Sequence, residues 1–232
     1  NSKKIKKIFC IPGNGGTQQI AENVNIDLKD FDKIKKFLIN KKIDITIIGP
    51  EDPLVNGIVD FLRENNLKVF GPDKFCSKLE GSKIFTKKIC ELENIPTAEF
   101  KIFKDVVSSL IFLENRNYPI VVKADGLAAG KGVYICENFL EAKNAVEEVF
   151  KGKFGKAEEI LIEEFLSGEE MSFFILYDNN SYKVFNTAQD HKRVFEGDKG
   201  KNTGGMGAYS PSRLINPDLE KKIINKIILP TL

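Results

Sequence analysis

Apolar residues along the first third of the chain form short runs and spaced sets that predict alternating strands and helices. Short apolar runs at residues 7–11, 44–48 and 68–70 are typical of strands. Residues 31–40 and 58–64 carry apolar positions every three to four residues, which predicts helices. This alternation favours a parallel α/β sheet. The uninterrupted run at 44–48 predicts a strand that is covered on both faces.

Two loops follow these strands at the edge where a parallel sheet collects its ligands. The loops at residues 12–17 and 49–53 supply five candidate binding residues, namely Gly13, Asn14, Gly49, Pro50 and Glu51. Glycine and proline are equally typical of plain turns. The pattern alone leaves both interpretations open.

Residues 97–165 predict a small lobe of mixed strands and helices, which follows a mostly helical segment at 76–94. We expect its strands at residues 100–103, 120–122, 133–136 and 159–163, and its helices at 106–115 and 139–150. The helix at 139–150 is amphipathic and therefore has one face for a core. Beyond the lobe we expect a strand pair at 171–176 and 183–187 and a helix at 217–229.

The segment VVKADGLAAGKGV joins two strands of this lobe through a loop of small residues. Glycine lets several backbone N–H groups turn toward one point, so the loop can cover a polyphosphate. Its candidate residues are Lys123, Gly130, Lys131 and Gly132. Three residues, not four, separate Gly126 from Gly130, and a strand follows, so this is not a Walker A loop. An ordinary glycine-rich hairpin with surface lysines is the alternative.

Two further segments carry charged candidates. The first leaves the lobe's last strand and suits an adenine and ribose site, through Glu163, Glu164, Phe165, Leu166, Glu169 and Glu170. A solvated acidic turn is the alternative. The second places the ionic cluster Asp190, His191, Lys192 and Arg193 ahead of a loop with exposed N–H groups at Gly204, Gly205 and Met206. There a charged substrate and a purely structural histidine are both open.

Composition limits the classes of partner. The net charge of +2 gives no overall basic field for nucleic acid. No apolar run approaches the roughly 20 residues of a membrane helix. The four cysteines form no CxxC pair, which favours free thiols in a cytoplasmic protein, and the single histidine excludes a histidine-rich metal site. We therefore expect small-molecule partners, with neither nucleic acid nor membrane among them.

Seven segments together resemble one family of ligases. They are GPEDPLVNGIVD, LEGSKIFTK, NIPTAE, VVKADGLAAGKGV, IEEFLSGEE, QDHKRV and NTGGMGAYSP. In order and spacing they are similar to phosphoribosylamine–glycine ligases, which are ATP-grasp enzymes of purine synthesis. The resemblance implies that ATP drives ligation of glycine to 5-phosphoribosylamine through a glycyl phosphate, with release of ADP and phosphate. It also favours a monomer.

The resemblance implies a role for each matching residue. Lys83 and Lys123 would contact the ATP phosphates under a closing loop at residues 130–132, and residues 163–166 would hold adenine. Glu169 or Glu170 would bind ribose, while residues 190–193 and 204–206 would face the substrates. The loops at Gly13 and Gly49 would belong to the phosphoribosylamine pocket. Lys123, Lys131 and Asp190 are the candidate catalytic residues.

The resemblance also predicts the domain organisation. Residues 1–74 would form a substrate-binding α/β domain without its first strand and helix. Residues 75–232 would form an ATP-grasp domain whose lid lobe spans about 97–165. The ligands of Mg²⁺, or Mn²⁺, are expected beyond Leu232, with no metal ligand in this sequence. This chain alone is therefore expected to be inactive. Another ATP-grasp carboxylate–amine ligase and a non-catalytic nucleotide-binding fragment are the alternatives.

Overall fold

The computed structural model describes residues 2–127, 132–155, 157–178, 181–197 and 199–232. The chain divides into two compact units. The first comprises the residues up to Thr86 together with a segment that begins at Asp125. The second comprises Lys87–Ala124 and the chain from residue 132 onward.

The first unit contains two parallel strand pairs and several helices. β1 (Phe9–Cys10) pairs with β2 (Glu22–Asn23), and β3 (Thr46–Ile47) pairs with β4 (Val69–Phe70). The helices are α1 (Phe31–Asn40), α2 (Glu51–Val55), α3 (Ile58–Glu64), α4 (Lys78–Gly81) and the start of α5 (Lys83–Leu92), with a short 3-10 turn at Thr17–Gln19. The parallel pairings confirm the predicted α/β class.

The core of this unit lies between α1 and α3. Ile34 and Leu38 are buried one turn apart on α1, and Ile58, Val59 and Leu62 are buried on α3. This spacing places each set on one face of its helix. Both helices have the predicted bounds because their apolar faces meet.

Two predictions for this unit were wrong in detail. The strand at 44–48 is not covered on both faces, because Ile45 and Ile47 are 57% and 69% exposed. Glu51 does not lie in a loop but begins α2. The segment 76–94 is mostly helical, as predicted, and Ser82, with extended angles of φ −141° and ψ 112°, separates α4 from α5 within it.

The second unit is built around a four-stranded sheet in the order β5-β8-β6-β7. Its strands are β5 (Phe100–Phe103), β6 (Ile120–Ala124), β7 (Val133–Cys136) and β8 (Ile160–Glu164), and every neighbouring pair is antiparallel. α6 (Val106–Leu113) and α7 (Phe139–Phe150) connect these strands. Asp105 caps α6 and Asn138 caps α7 by accepting from backbone N–H groups of the first turn.

The two faces of this sheet differ in chemistry. Along β6 and β8, alternate residues enter the core that α7 completes with Ala142, Ala145, Val146 and Val149. The residues between them, Val121, Lys123, Leu161 and Glu163, belong to the opposite face because side chains alternate along a strand. That face carries two of the predicted site residues.

The remaining chain forms short antiparallel pairs and a terminal helix. β9 (Ile175–Tyr177) pairs with β10 (Tyr182–Val184), β11 (Gln189–Asp190) with β14 (Ala208–Tyr209), and β12 (Arg193–Phe195) with β13 (Lys199–Asn202). α8 (Pro217–Ile223) continues through a π-helical turn at Ile224–Ile228 into α9 (Leu229–Thr231). The predicted strands at 171–176 and 183–187 are therefore shorter than expected. Within the described ranges, every helix is too short or too polar to cross a bilayer.

Candidate functional site

A buried carboxylate lies between two lysine ammonium groups on the face of the sheet opposite α7. Glu163 is 4% exposed, and its Oε2 accepts from Lys123 Nζ at 2.7 Å. Its Oε1 lies 3.3 Å from Lys87 Nζ. Glu163 is opposite Val121 in the β6–β8 register, so Lys123 lies two residues along on the same face. Antiparallel pairing therefore brings Lys123 to Glu163.

Lys87 is the most enclosed of these cations. It is 8% exposed, and its Nζ donates to Thr97 Oγ1 at 2.6 Å and to the Ala98 carbonyl at 3.0 Å. The Phe100 ring centroid lies 5.3 Å from the same Nζ. Lys123 keeps a quarter of its side chain exposed. One ammonium group is thus directed inward and the other remains accessible.

A second cluster joins the start of α5 to the residues that follow β6. Ser82 Oγ donates to Asp125 Oδ2 at 2.9 Å and accepts from Phe85 N–H at 3.1 Å, as a helix N-cap does. Asp125 Oδ1 also accepts from Ile84 N–H at 3.2 Å. Lys83 Nζ donates to the Gly126 carbonyl at 2.8 Å. These contacts fix the first residues of the predicted phosphate loop against a helix N-terminus, where an anion is favoured.

Part of the predicted phosphate loop, at residues 128–131, lies outside the described residues. Gly130 and Lys131 lie outside the described residues. The carbonyl of Gly132 accepts from Ala124 N–H at 2.8 Å and so continues the β6–β7 hairpin. The strand–loop–strand arrangement around the loop is therefore as predicted.

The segment after β8 combines an anchored start with exposed apolar residues. Glu164 Oε1 accepts from Glu99 N–H at 2.9 Å, and Glu164 N–H donates to the Glu99 carbonyl at 3.0 Å. Phe165 and Leu166 follow with 37% and 63% of their surface exposed. The Glu163 side chain points to the lysines. The predicted adenine role of this segment stays a prediction, and the groups available for it are the backbone and the two exposed apolar side chains.

The predicted ribose carboxylates are engaged in ion pairs. Glu169 pairs with Arg213, and Glu170 lies 3.3 Å from Lys192 Nζ. Lys192 Nζ also lies 3.1 Å from Asp190 Oδ2. The hydrogen bond to Asp190, followed by that to Glu170, raises the pKa of Lys192 above its ordinary value. Lys192 therefore stays cationic and links a predicted ribose residue to a predicted catalytic residue.

The structure brings residues 190–193 and the loop at 203–207 together. His191 N–H donates to the Gly207 carbonyl at 2.9 Å, and Met206 N–H donates to the His191 carbonyl at 2.8 Å. Gly205 has φ +112°, and a Cβ there would lie 3.4 Å from Asp190 Oδ2. That distance is an ordinary contact, so it is the positive φ that favours glycine at this position. Gly204 and Met206 are exposed, and Arg193 donates to the Gly200 carbonyl at 2.7 Å.

In the first unit, the candidate residues after β1 hold their own loop together. Asn14 Oδ1 accepts from Gly16 N–H and Thr17 N–H at 2.8 and 2.9 Å. Gly13 has φ +81°, and a Cβ there would lie 2.2 Å from the Asn23 side chain. Gly49 has open space where a Cβ would project, Pro50 precedes α2, and Glu51 is exposed in its first turn.

The residues that the structure describes do not fit a metal centre. They include no group of three or more histidine, cysteine, aspartate or glutamate side chains placed to hold an ion. Four acidic side chains of the candidate site are instead paired with Lys123, Lys192 and Arg213, namely Glu163, Asp190, Glu170 and Glu169. We therefore assign no catalytic step to a metal bound by these residues.

The fold and the lysine-bearing sheet define an ATP-grasp protein. The family described as "Phosphoribosylglycinamide synthetase, ATP-grasp (A) domain" matches residues 81–232. At the level of fold, the chain is similar to N5-carboxyaminoimidazole ribonucleotide synthetase from Thermotoga maritima, with 20% identity and a TM-score of 0.59 over 92% of this chain and 49% of that one. Proteins of the ATP-grasp class use ATP with a divalent metal.

Within that class the chain belongs to the phosphoribosylglycinamide synthetase family, because the N domain of the same family matches residues 1–80. A phosphoribosylamine–glycine ligase from Mesorhizobium japonicum is 48% identical over 100% of this chain and 55% of its own length. A phosphoribosylamine–glycine ligase from Haemophilus influenzae is 49% identical over 97% of this chain and 53% of its own length. The crystal structure of phosphoribosylamine–glycine ligase from Thermotoga maritima has a TM-score of 0.81 and 29% identity, over 99% of this chain and 55% of that one. The chain thus spans about half the length of these relatives.

Sequence reasoning missed two side chains of the candidate site as functional residues. Lys87 follows Lys83 by one helical turn and resembles a solvated helix lysine in the pattern. Its partners Thr97 and Glu163 are brought to it only by the fold. Asp125 follows β6 directly. Its position between Lys123 and Lys131 in the sequence was the signal that could have marked it as a functional residue.

Proposed function

We propose that this chain forms the substrate- and nucleotide-binding part of an ATP-dependent ligase that joins glycine to 5-phosphoribosylamine. The observation that carries the proposal is the match of the whole chain to relatives named phosphoribosylamine–glycine ligase. Because those relatives are nearly twice as long, the complete reaction is proposed for the longer protein. Its product would be glycinamide ribonucleotide in purine synthesis.

In this proposal, the second unit binds the nucleotide on the sheet face that carries Lys123. Lys123 and Lys131 contact the phosphates, and Gly130 and Gly132 give the loop its close backbone approach. The backbone of residues 163–166 meets the adenine edge while Phe165 and Leu166 cover the ring. Glu169 or Glu170 accepts from ribose hydroxyls. Lys83 is assigned as a further phosphate contact.

The remaining candidates are proposed for the two substrates. Asp190, His191, Lys192 and Arg193, with the loop at 204–206, bind the charged groups of glycine and of the reacting intermediate. The loops at Gly13–Asn14 and at 49–51 bind phosphoribosylamine. The ion pairs of Lys192 with Asp190 and Glu170, which raise its pKa, support this assignment only in that they keep charged groups of both signs together at residues 190–193.

The chemistry needs a strongly electropositive and dry site. A glycine carboxylate oxygen attacks the γ-phosphorus of ATP, the bond to ADP breaks, and glycyl phosphate forms. The amine of phosphoribosylamine then attacks the acyl carbon, phosphate leaves, and the new amide nitrogen loses a proton. Lysine ammonium groups stabilise charge on the transferred phosphoryl group. Exclusion of water protects the acyl phosphate from hydrolysis.

Four finer assignments complete the proposal. Mg²⁺, or Mn²⁺, accompanies ATP with ligands beyond Leu232. The protein acts in the cytoplasm on small molecules. It functions as a monomer. The substrate domain comprises residues 1–74, and the ATP-grasp domain, with a lid lobe at about 97–165, begins at residue 75.

Calorimetric titration of the 232-residue chain with ATP tests the nucleotide assignment. We expect ATP to bind and Lys123→Met to weaken binding at least tenfold, because a phosphate contact is lost. Lys101→Met is the matched control, since Lys101 lies on the same sheet but over the Phe112 ring at 5.3 Å. Equal affinities for the two variants, or no binding of ATP to the unaltered chain, would contradict the assignment.

The complete enzyme tests the reaction. ADP release should require both glycine and 5-phosphoribosylamine, and glycinamide ribonucleotide should appear in equal amount. The isolated chain is expected to bind ATP without turnover. ADP release that does not depend on glycine would exclude the proposed ligation.

A further inference from the structure

The buried ammonium group of Lys87 has an arrangement that packing alone does not require. A lysine with 8% exposure loses most of its hydration, and its Nζ is compensated by three oxygens, those of Thr97, Ala98 and Glu163. A leucine or methionine would fill the same space without this requirement, because burial of a charge is unfavourable unless it is paired. The presence of a charge at this position therefore calls for a reason beyond filling volume.

The charges of the three groups suggest that reason. Glu163 carries one negative charge and is approached by Lys123 on Oε2 at 2.7 Å and by Lys87 on Oε1 at 3.3 Å. The sum of the three charges is +1. Without Lys87, the carboxylate would neutralise Lys123 completely and the sum would be zero. With Lys87, the group keeps a net positive charge on the side where Lys123 is exposed.

We propose that Lys87 is a positioning residue for the nucleotide site, because it compensates Glu163 from the buried side and leaves the charge of Lys123 available to a phosphate. The inference rests on the proposed function, in which Lys123 contacts the nucleotide. Lys87 does not touch the nucleotide. It acts through Glu163, which then holds Lys123 on one oxygen instead of two.

The alternative is that Lys87 only fastens the chain at Thr97 and Ala98 to α5. The two roles predict different results when the charge of Glu163 is also removed. If Lys87 acts by charge, Lys87→Met lowers the sum to zero, Glu163→Gln raises it to +2, and the double variant restores +1. If Lys87 only holds the chain at Thr97 and Ala98 against α5, the double variant binds ATP no more tightly than Lys87→Met.

The experiment measures ATP affinity of the 232-residue chain by calorimetry for these three variants and for Lys87→Arg. We expect Lys87→Met to bind ATP about tenfold more weakly, which corresponds to about 1.4 kcal/mol. Lys87→Arg should recover most of the affinity, because the charge is retained. Glu163→Gln should bind ATP more tightly than the unaltered chain, because the sum of charges rises to +2 while the backbone contact proposed for residue 163 is kept. The double variant should bind severalfold more tightly than Lys87→Met, which is a non-additive result.

Thr97→Val is the matched control. It removes the hydrogen bond of 2.6 Å that Lys87 makes with Thr97 but alters no charge, so ATP affinity should be unchanged while the melting temperature falls. Melting curves of all variants show whether each one folds. If Lys87→Met does not fold, the affinities of Glu163→Gln and Lys87→Arg still carry the test.

Three results would overturn the inference while leaving the proposed function intact. They are wild-type affinity in Lys87→Met, a double variant no better than Lys87→Met, and loss of binding in Glu163→Gln. A lack of ATP binding by the unaltered chain would instead overturn the proposed function, and the inference with it.

Discussion

The contacts of Asp125 predict that one exposed carboxylate affects both the stability of α5 and the affinity for ATP. Asp125 accepts from Ser82 Oγ at 2.9 and 3.2 Å and from Ile84 N–H at 3.2 Å. Asp125→Ala removes all of these hydrogen bonds. Asp125→Asn keeps one oxygen that can accept, and should therefore retain part of the effect.

The expected magnitude follows from the helix cap and from the loop behind it. Loss of a capping side chain costs about 1 kcal/mol, which lowers the melting temperature of a chain of this size by about 2–4 °C. The same change removes the anchor at residue 125 and leaves Gly126 with the hydrogen bond that its carbonyl accepts from Lys83 Nζ at 2.8 Å. ATP must then order this segment on binding. We expect affinity to fall about threefold to tenfold, or up to about 1.4 kcal/mol.

Asp105→Ala provides the matched control for this prediction. Asp105 caps α6 by accepting from Ser108 N–H at 2.8 Å and Ser108 Oγ at 2.7 Å, and none of the proposed ligand contacts involves it. Circular dichroism melts and ATP calorimetry are measured on both variants. Both should melt earlier, but only Asp125→Ala should bind ATP more weakly. The reasoning is refuted if both variants keep the affinity of the unaltered chain, or lose it equally.

Two further predictions concern buried and strained positions. Burial raises the pKa of the Cys136 thiol from 9.0 to about 11. As the pH rises, the unfolded chain therefore loses this proton before the folded chain does. The free energy of unfolding should fall between these two pH values by up to about 2.7 kcal/mol. Urea unfolding at a series of pH values should show a shallower fall for Cys136→Ser, and parallel curves would count against the assignment. Gly13→Ala should lower stability by more than about 1 kcal/mol, because φ is +81° and a Cβ would lie 2.2 Å from Asn23. Gly15→Ala, with nothing within 4 Å of its Cβ, should melt like the unaltered chain, and equal shifts for the two glycines would contradict this account.

Elements with a strong apolar period were predictable from the sequence. α1, α3, α7 and β5 have the predicted bounds because each presents an apolar face to a neighbouring element. β2, at Glu22–Asn23, was not predicted, because its two residues show no apolar alternation and its pairing with β1 depends on backbone hydrogen bonds. A hydrophobic pattern reports only on side chains, whereas a strand of two residues exists because its backbone pairs with another strand.

The break at Ser82 and the burial of Lys87 required the fold. Ser82 forms a hydrogen bond with Asp125, which lies 43 residues further along the chain. Lys87 on α5 forms an ion pair with Glu163 on β8. Local sequence cannot indicate such pairs. The roles of Lys123, Asp190 and the other predicted site residues remain predictions. What the fold adds is the set of charges that surround them.

The order of strands in the second unit has a consequence for synthesis of the protein. β8 lies between β5 and β6, although it is the last of these four strands in the chain. On the ribosome, the β6–β7 hairpin can pair as soon as it emerges, but within the described sheet β5 pairs only with β8. Contacts between strands so distant in sequence form slowly. A nascent chain cut before Ile160 would hold the β6–β7 hairpin with α6 and α7. The arrival of β8 would then pair it with both β5 and β6 and bring Glu163 to Lys123 in one late step.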